Sequence, residues 1–511
     1  MYIIILRMIN PRHLLIFIYF IITSYGCVKF SIINENEPDG SRVYSDADAL
    51  INMAGESFRT IHNQMQEYSG LALNMACMAD NTTMPWGITR DLSWEPRTFI
   101  EGYNNSPEYA YYYQLMGQWE GSYKAISHSN NILRYLYTDA GEVTMPDDQR
   151  VLLEAFSWFV SGVAHGYLGL IFDKALVVNY DSNPEEFKLV SWDEVIKESL
   201  KMIDRAIEIS DANYFEIPAE WVGSQVMTNV EFSQLANSYA ARIMAYCPRN
   251  SLENSRADWN RVLEYASKGI NQNFAPELGG AYDFYDFYWF YSTYPGWGRV
   301  DHRIINLMDH DYPSHWPRDG FSWNTPDGND PGPADPDDDR LLTDFEYLEF
   351  NDFPPNRGYY HFSHYRYKRY NYVREEVWYG SKPKPSFLAW ENKLIEAEAL
   401  YRTGNIVAAV AILNDPAGPR KVRGQLPDVN QATDDVLRLI LDEKEIECYG
   451  TGAGVSFFDM RRTDRLQKGT LLHFPVPATE LELIGEPYYT IYSEAFGTDS
   501  SNGGWTGYDE E

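Results

Sequence analysis

Four separated stretches of the chain carry apolar residues at alternating spacings of three and four, the repeat of an amphipathic α-helix. In residues 192–209 the stripe is Trp192, Val195, Ile196, Leu200, Ile203, Ala206 and Ile207. Phe232, Leu235, Ala236, Tyr239, Ala240 and Ile243 repeat it before Pro248, whose missing amide proton and rigid ring stop a helix. Trp259, Val262, Leu263, Ala266 and Ile270 make a third. Leu394, Ala397, Leu400 and Tyr401 lead into Gly404-Asn405 and then Ile406, Ala409, Val410 and Leu413, a helix-turn-helix of tetratricopeptide type with small alanines at the crossing. A single stripe cannot bury itself, so each helix needs its neighbour. The expected fold is all-α, a right-handed superhelix of tetratricopeptide-like helix pairs.

The helical period disappears between residues 273 and 385, where Pro, Gly, Asp and aromatic residues take over. Fourteen of the 42 residues from Tyr282 to Trp323 are Phe, Trp or Tyr, one third against 15% for the whole chain. A solvated linker has no use for that ring density, and irregular stretches of this length inside a domain are typically functional loops. This block is expected to be the outward-facing binding surface, a large irregular insertion in the helical scaffold.

Charge and cysteines narrow the partners. With 42 Lys+Arg against 74 Asp+Glu, the net charge of −32 repels phosphate backbones and anionic head groups, so nucleic acid is not an expected partner. Cys27, Cys77, Cys247 and Cys448 are far apart and match neither a disulfide framework nor a zinc knuckle. No G-x-S-x-G, H-E-x-x-H or G-K-[ST] element occurs. A glycosidase needs only two carboxylates, and an acidic chain always has candidates, but nothing here marks an enzyme and none is expected.

The N-terminal segment reads as an address. Residues 14–22 are LLIFIYFII, preceded by Arg7, Arg12 and His13 and followed by Thr23-Ser24-Tyr25-Gly26-Cys27. The run falls short of the roughly 20 residues that span a bilayer, and a small residue before a lone cysteine suits a lipoprotein signal peptide. Ser24 and Tyr25 depart from the usual lipobox, which carries a larger aliphatic residue at the first of these positions, and Met8 offers a second start. Cys27 is the expected lipidation site, and two acyl chains such as palmitate, at about 0.8 kcal/mol per buried CH₂, anchor a protein stably. No other segment is expected to span a membrane. The chain thus divides into a signal peptide (1–26), a polar tether (27–40), an N-terminal helical region (41–272), the irregular region (273–385) and a C-terminal region (386–511).

Asp442-Glu443-Lys444-Glu445-Ile446-Glu447, running to Phe457-Phe458-Asp459-Met460-Arg461-Arg462, and His473-Phe474-Pro475-Val476-Pro477 followed by Glu480-Leu481 form the strongest motif set. Upstream stand Leu394 to Arg402, Gly404 and Val422-Arg423, and near the front Trp119 to Ile126 with Asn130-Asn131-Ile132-Leu133. In this order they resemble the SusD/RagB family of Bacteroidetes outer-membrane lipoproteins. The resemblance implies a surface-exposed, lipid-anchored protein of the cell outer membrane that caps a SusC-like TonB-dependent transporter and delivers oligosaccharide to it. It implies no catalysis, an all-α fold with tetratricopeptide-like units, and irregular loops that hold the ligand.

Sugar faces stack on Trp and Tyr rings, and their hydroxyls bond to amide, guanidinium and carboxylate groups. Two regions offer both. The first supplies Asp80, Trp86, Arg90, Trp94 and Asn104; the second supplies Trp289, Tyr291, Trp297, Trp316 and Trp323. For each Trp the alternative is burial against the scaffold. Trp119, Trp158, Trp192, Trp259 and Trp390 lie on helical stripes and are expected in the core. The acidic run Asp335 to Arg340 lacks the glycine and ligand spacing of an EF-hand loop; its carboxylates are expected as caps and ion-pair partners, with calcium the lesser alternative and no other cofactor or metal expected. Arg461-Arg462 beside Asp459 reads as a structural ion-pair knot. Two other functions share this architecture: capture of peptide by a RagB-like relative, and a protein-binding helical scaffold without sugar affinity.

Overall fold

The chain is described by a computed structural model over residues 47–67, 70–84, 86–92, 105–138, 145–279, 282–314, 331–349, 363–374, 382–467 and 469–489. Cys27, Trp94, Asn104, Trp316 and Trp323 lie outside these residues, as does the side chain of Arg90. In chain order the helices are α1 (Ala47–Gln66), α2 (Leu71–Met78), α3 (Gly87–Leu92), α4 (Tyr112–Thr138), α5 (Asp147–Ile171), α6 (Trp192–Ala212), α7 (Ala219–Val222), α8 (Asn229–Tyr246), α9 (Ser251–Ser255), α10 (Trp259–Ser267), α11 (Phe287–Thr293), α12 (His302–Asn306), α13 (Arg340–Thr343), α14 (Ala389–Arg402), α15 (Ile406–Leu413), α16 (Pro419–Val422), α17 (Val436–Glu447), α18 (Val455–Arg462) and α19 (Ala478–Ile484). Short antiparallel pairs join β1 (Thr82–Thr83) to β6 (Arg299–Val300), β2 (Lys174–Leu176) to β3 (Leu189–Ser191), β4 (Glu216–Ile217) to β5 (Met227–Thr228) and β7 (Phe345–Tyr347) to β8 (Tyr365–Tyr367).

The scaffold is a continuous stack. Helix α1 packs on α4, α4 on α5, α5 on α6, α6 on α8, α8 on α10, α10 on α14, and α14 on α15 and α17. All four periodic stretches are helices at the expected places, and α8 ends at Tyr246, just before Pro248. At the centre α5 comes very close to α6 and α8: a Cβ on Gly162 would stand 2.6 Å from Ile203 Cγ1, and one on Gly166 2.4 Å from Ile243 Cδ1. The bare backbone lets Ser199 Oγ donate to the Gly162 carbonyl at 2.6 Å. Contrary to the expectation that nothing past the N-terminal run could span a bilayer, α5 is long and apolar enough by itself; it is nevertheless mostly buried, as the core helix of this stack.

One hydrophobic core runs through the stack and the insertion. A second, small one lies between α14, α15 and α17, around Leu394, Ala397, Ala409, Leu413 and Ile440. Between the two sits a buried charge cluster: Glu398 accepts from Arg462 at 2.5 Å, Lys444 at 2.8 Å and Arg402 at 2.7 Å, and Asp459 pairs with Lys444 and Arg462. Burial pushes the Glu398 carboxyl up, and the three cations more than offset it, holding it well below the usual carboxylate range. Arg462 is therefore the expected ion-pair knot. Arg461 is not: it donates to the carbonyls of Leu170 (2.8 Å), Leu472 (2.9 Å) and Tyr246 (3.0 Å), satisfying acceptors that include the end of α5.

The region from 273 to 385, expected to be irregular, holds α11 to α13 and β6 to β8 among its described residues. Within its acidic run Asp338 forms a buried pair with Arg340 at 2.6 Å, and Arg340 also pairs with Glu443 at 2.5 Å.

Candidate functional site

Strand register brings the two distant ring regions together. Thr82 lies opposite Val300 and Thr83 opposite Arg299. In an antiparallel ladder each step forward on one strand is a step back on the other, so Trp86, three residues past Thr83, comes level with the turn that holds Trp297. Their ring centroids are 6.1 Å apart.

That turn depends on one glycine. The amides of Trp297 and Gly298 bond back to the Tyr294 carbonyl at 3.0 and 3.2 Å, folding the chain over the end of α11. A Cβ at Gly298 would stand 2.4 Å from the Ser292 carbonyl oxygen, so only glycine permits the approach. The Trp297 ring is thereby laid on Tyr291, with centroids 4.4 Å apart and planes 30° apart.

Helix α11 reads FYWFYST, and its start is fixed by Asp286, whose Oδ1 accepts from the Trp289 amide at 2.7 Å. At 100° per residue, Phe287 and Tyr291 share one face while Trp289 points the other way. Phe287 and Tyr291 are half-buried with centroids 6.0 Å apart, and Tyr285 follows at 4.9 Å from Phe287. The Tyr285 hydroxyl donates to Glu67 at 2.8 Å, and its amide to Asn63 Oδ1 at 3.1 Å. Burial, and then the hydrogen bond to Glu67, push its phenol well above the ordinary tyrosine range, so it stays a donor. The result is a row of five half-buried rings: Tyr285, Phe287, Tyr291, Trp297 and Trp86.

Of the ten residues expected at a ligand, the structure brings Trp86, Tyr291 and Trp297 together and places two elsewhere. Trp289 is not a surface ring: it is fully buried, with the Arg374 guanidinium 4.9 Å from its centre. Asp80 is also sealed inside, in a left-handed conformation (φ 51°), where α2 turns into β1 and its carbonyl accepts from Arg303 at 3.2 Å. Arg90 belongs to α3, and Trp94, Asn104, Trp316 and Trp323 lie outside the described residues. Sequence reading missed Phe287, whose four-residue spacing to Tyr291 was the available signal. It also missed Tyr285 and Tyr111; the latter's ring lies 3.3 Å from where a Cβ on Gly87 would sit, beside Trp86.

Among the rings expected in the core, Trp119 and Trp259 are buried. Trp158, Trp192 and Trp390 are only half-buried, because each covers a neighbour from outside. Trp158 sits by Tyr137 and Tyr180, Trp192 carries the Arg249 guanidinium at 4.7 Å, and Trp390 closes on Gly418. Among the described residues no group of His, Cys, Asp or Glu is placed to hold a metal ion.

No family model and no curated protein matches the chain. Solved structures do. A SusD-like protein from Bacteroides fragilis matches over 83% of this chain and 87% of its own, with a TM-score of 0.57 at 16% identity. The chain has the SusD-like fold. A SusD-like carbohydrate binding protein from Bacteroides vulgatus matches over 83% of this chain and 84% of its own, at a TM-score of 0.56 and 16% identity. Surface glycan-binding protein A from Bacteroides uniformis matches over 84% and 97%, at a TM-score of 0.57 and 13% identity.

Proposed function

We propose that this protein is a SusD/RagB-type glycan-binding subunit of a TonB-dependent uptake complex, lipidated at Cys27 and held on the outer membrane surface. It captures oligosaccharide and passes it to a SusC-like barrel, with no catalysis of its own. The observation that carries the sugar reading is the row of half-buried rings from Tyr285 to Trp86. Ring faces take the C–H faces of sugars, and neighbouring polar groups take the hydroxyls. The SusD-like fold, shared with proteins described as carbohydrate and glycan binders, supports it, as do the C-terminal motifs and the lipobox-like segment. A receptor that hands on its cargo must also release it, so micromolar or weaker binding is expected, equivalent to about 8 kcal/mol or less.

Native affinity electrophoresis through gels containing starch, mannan, xylan or laminarin tests the reading. Retardation by at least one of them is expected, and unchanged mobility in all four would overturn it in favour of peptide or protein cargo. Replacement of Cys27 by Ser should move the protein from the membrane fraction to the soluble one.

A further inference from the structure

A concave surface lies beside the ring row. The α7–β5 turn and the start of α8 face the segment 270–277 across a cleft of about 740 Å³, which Tyr282 and Pro383 complete, a volume within the roughly 300–1,000 Å³ of small-molecule sites. Its walls are pinned. The Glu277 amide donates to the Gly223 carbonyl at 2.5 Å, and Phe274 pairs with Phe387 through hydrogen bonds of 2.9 and 3.2 Å. Two of the polar side chains on the walls are committed to the scaffold: Glu231 closes the capping box of α8 with Thr228, and Asn273 Oδ1 accepts from the Ala389 amide at 2.9 Å. The side-chain amides of Gln225, Gln234, Asn271 and Gln272 have no hydrogen bond to the described residues, and among the described residues no Lys or Arg lines the cleft.

We propose that this cleft is a second subsite for the same sugar chain, an inference that rests on the glycan reading above. Planar amides that both donate and accept, the Glu277 carboxylate and the half-buried Tyr282 ring match a neutral, hydroxyl-rich ligand, and walls whose described residues include no cation give an anionic one no counter-charge. The cleft is also in line with the ring row. Arg59 Nη1 donates to the Tyr282 carbonyl at 3.0 Å, Asn63 Nδ2 to the Asp283 carbonyl at 2.8 Å, and Glu67 receives the Tyr285 hydroxyl at 2.8 Å. These three residues recur every four along α1 and just past its end, and eight residues of helix span about 12 Å. Tyr282 of the cleft and Tyr285 of the row are thus held to one helix, and three residues of chain keep them within about 11 Å of each other. Joining two weak subsites raises the affinity for a chain long enough to reach both.

Hydrogen exchange on the full-length protein, with and without whichever of the four polysaccharides retards it most, tests the proposal. Protection is expected in peptides 223–235 and 270–277 as well as in 285–297. Protection confined to 285–297 would overturn the cleft subsite while leaving the ring row intact, and absence of retardation by all four polysaccharides would remove both. The double variant Gln234→Ala/Asn271→Ala changes exposed or half-buried amides that bond to no other described residue. It should bind the polysaccharide about tenfold more weakly and lose protection in 270–277 but not in 285–297; cleft protection that survives it would contradict the assignment.

Discussion

Lys384 Nζ lies 2.5 Å from Asp286 Oδ2, with both side chains almost completely buried. The same Asp286 receives the Trp289 amide through its other oxygen, so this ion pair fixes the start of the helix that carries Phe287 and Tyr291. Lys384→Met leaves the carboxylate buried without its partner, and loss of one member of such a pair typically costs about 3–5 kcal/mol. Urea unfolding should show a loss of that order. A variant as stable as wild type would contradict the part given to this pair in fixing the helix start.

Glu398 presents the same situation with three cations. Glu398→Ala leaves Lys444 and Arg462 sharing Asp459 alone, with Arg402 unpaired at the edge. A destabilisation of at least about 3 kcal/mol is expected. Its folded-state carboxyl lies well below the usual value, so its contribution is present above the unfolded pKa of about 4.3 and is lost as pH falls below that value. Thermal unfolding of wild type and variant should therefore converge in strong acid.

Asp301 runs the opposite way. Burial first, and the Asp80 charge second, raise its carboxyl to about 8, against the opposing pull of the Arg303 amide and guanidinium and of Thr83. Arg303 is itself paired with Glu445. A carboxyl raised by folding adds stability below its unfolded pKa, and that contribution is lost as pH rises through about 8. Asp301→Asn keeps the shape and the acceptor for Arg303 and removes the titration. Between pH 5 and pH 8 the wild type should lose stability relative to Asp301→Asn in urea unfolding. A constant difference across that range would show that Asp301 does not titrate there.

Gly298→Ala tests how the row is built. Its methyl would meet the Ser292 carbonyl at 2.4 Å, so the turn must open and Trp297 must leave Tyr291. Tryptophan emission should shift and polysaccharide retardation should fall, while helix content by circular dichroism stays that of wild type. Unchanged emission and retardation would show that the turn absorbs the methyl.

The helical stack was legible because period and burial agree: Val195, Ile196, Leu200 and Ile203 point inward as their spacing requires. The site was legible only in part. Composition located the ring-rich segment, but which rings reach solvent is a matter of helical phase, and a segment-wide count treats Trp289 and Tyr291 alike. Pairing Trp86 with Trp297 needs a long-range strand register of two residues each, too short to leave an alternating pattern. Asp80 was misread for a related reason: a carboxylate near aromatic residues looks the same in sequence whether it faces a ligand or lies under Arg303.

The most direct test of the account is the affinity of Trp86→Ala/Trp297→Ala for the polysaccharide that retards the wild-type protein, measured by calorimetry alongside thermal unfolding. At about 1 kcal/mol per ring contact, a loss of at least tenfold with little change in unfolding temperature is the expected result. Wild-type affinity in the double variant would contradict it.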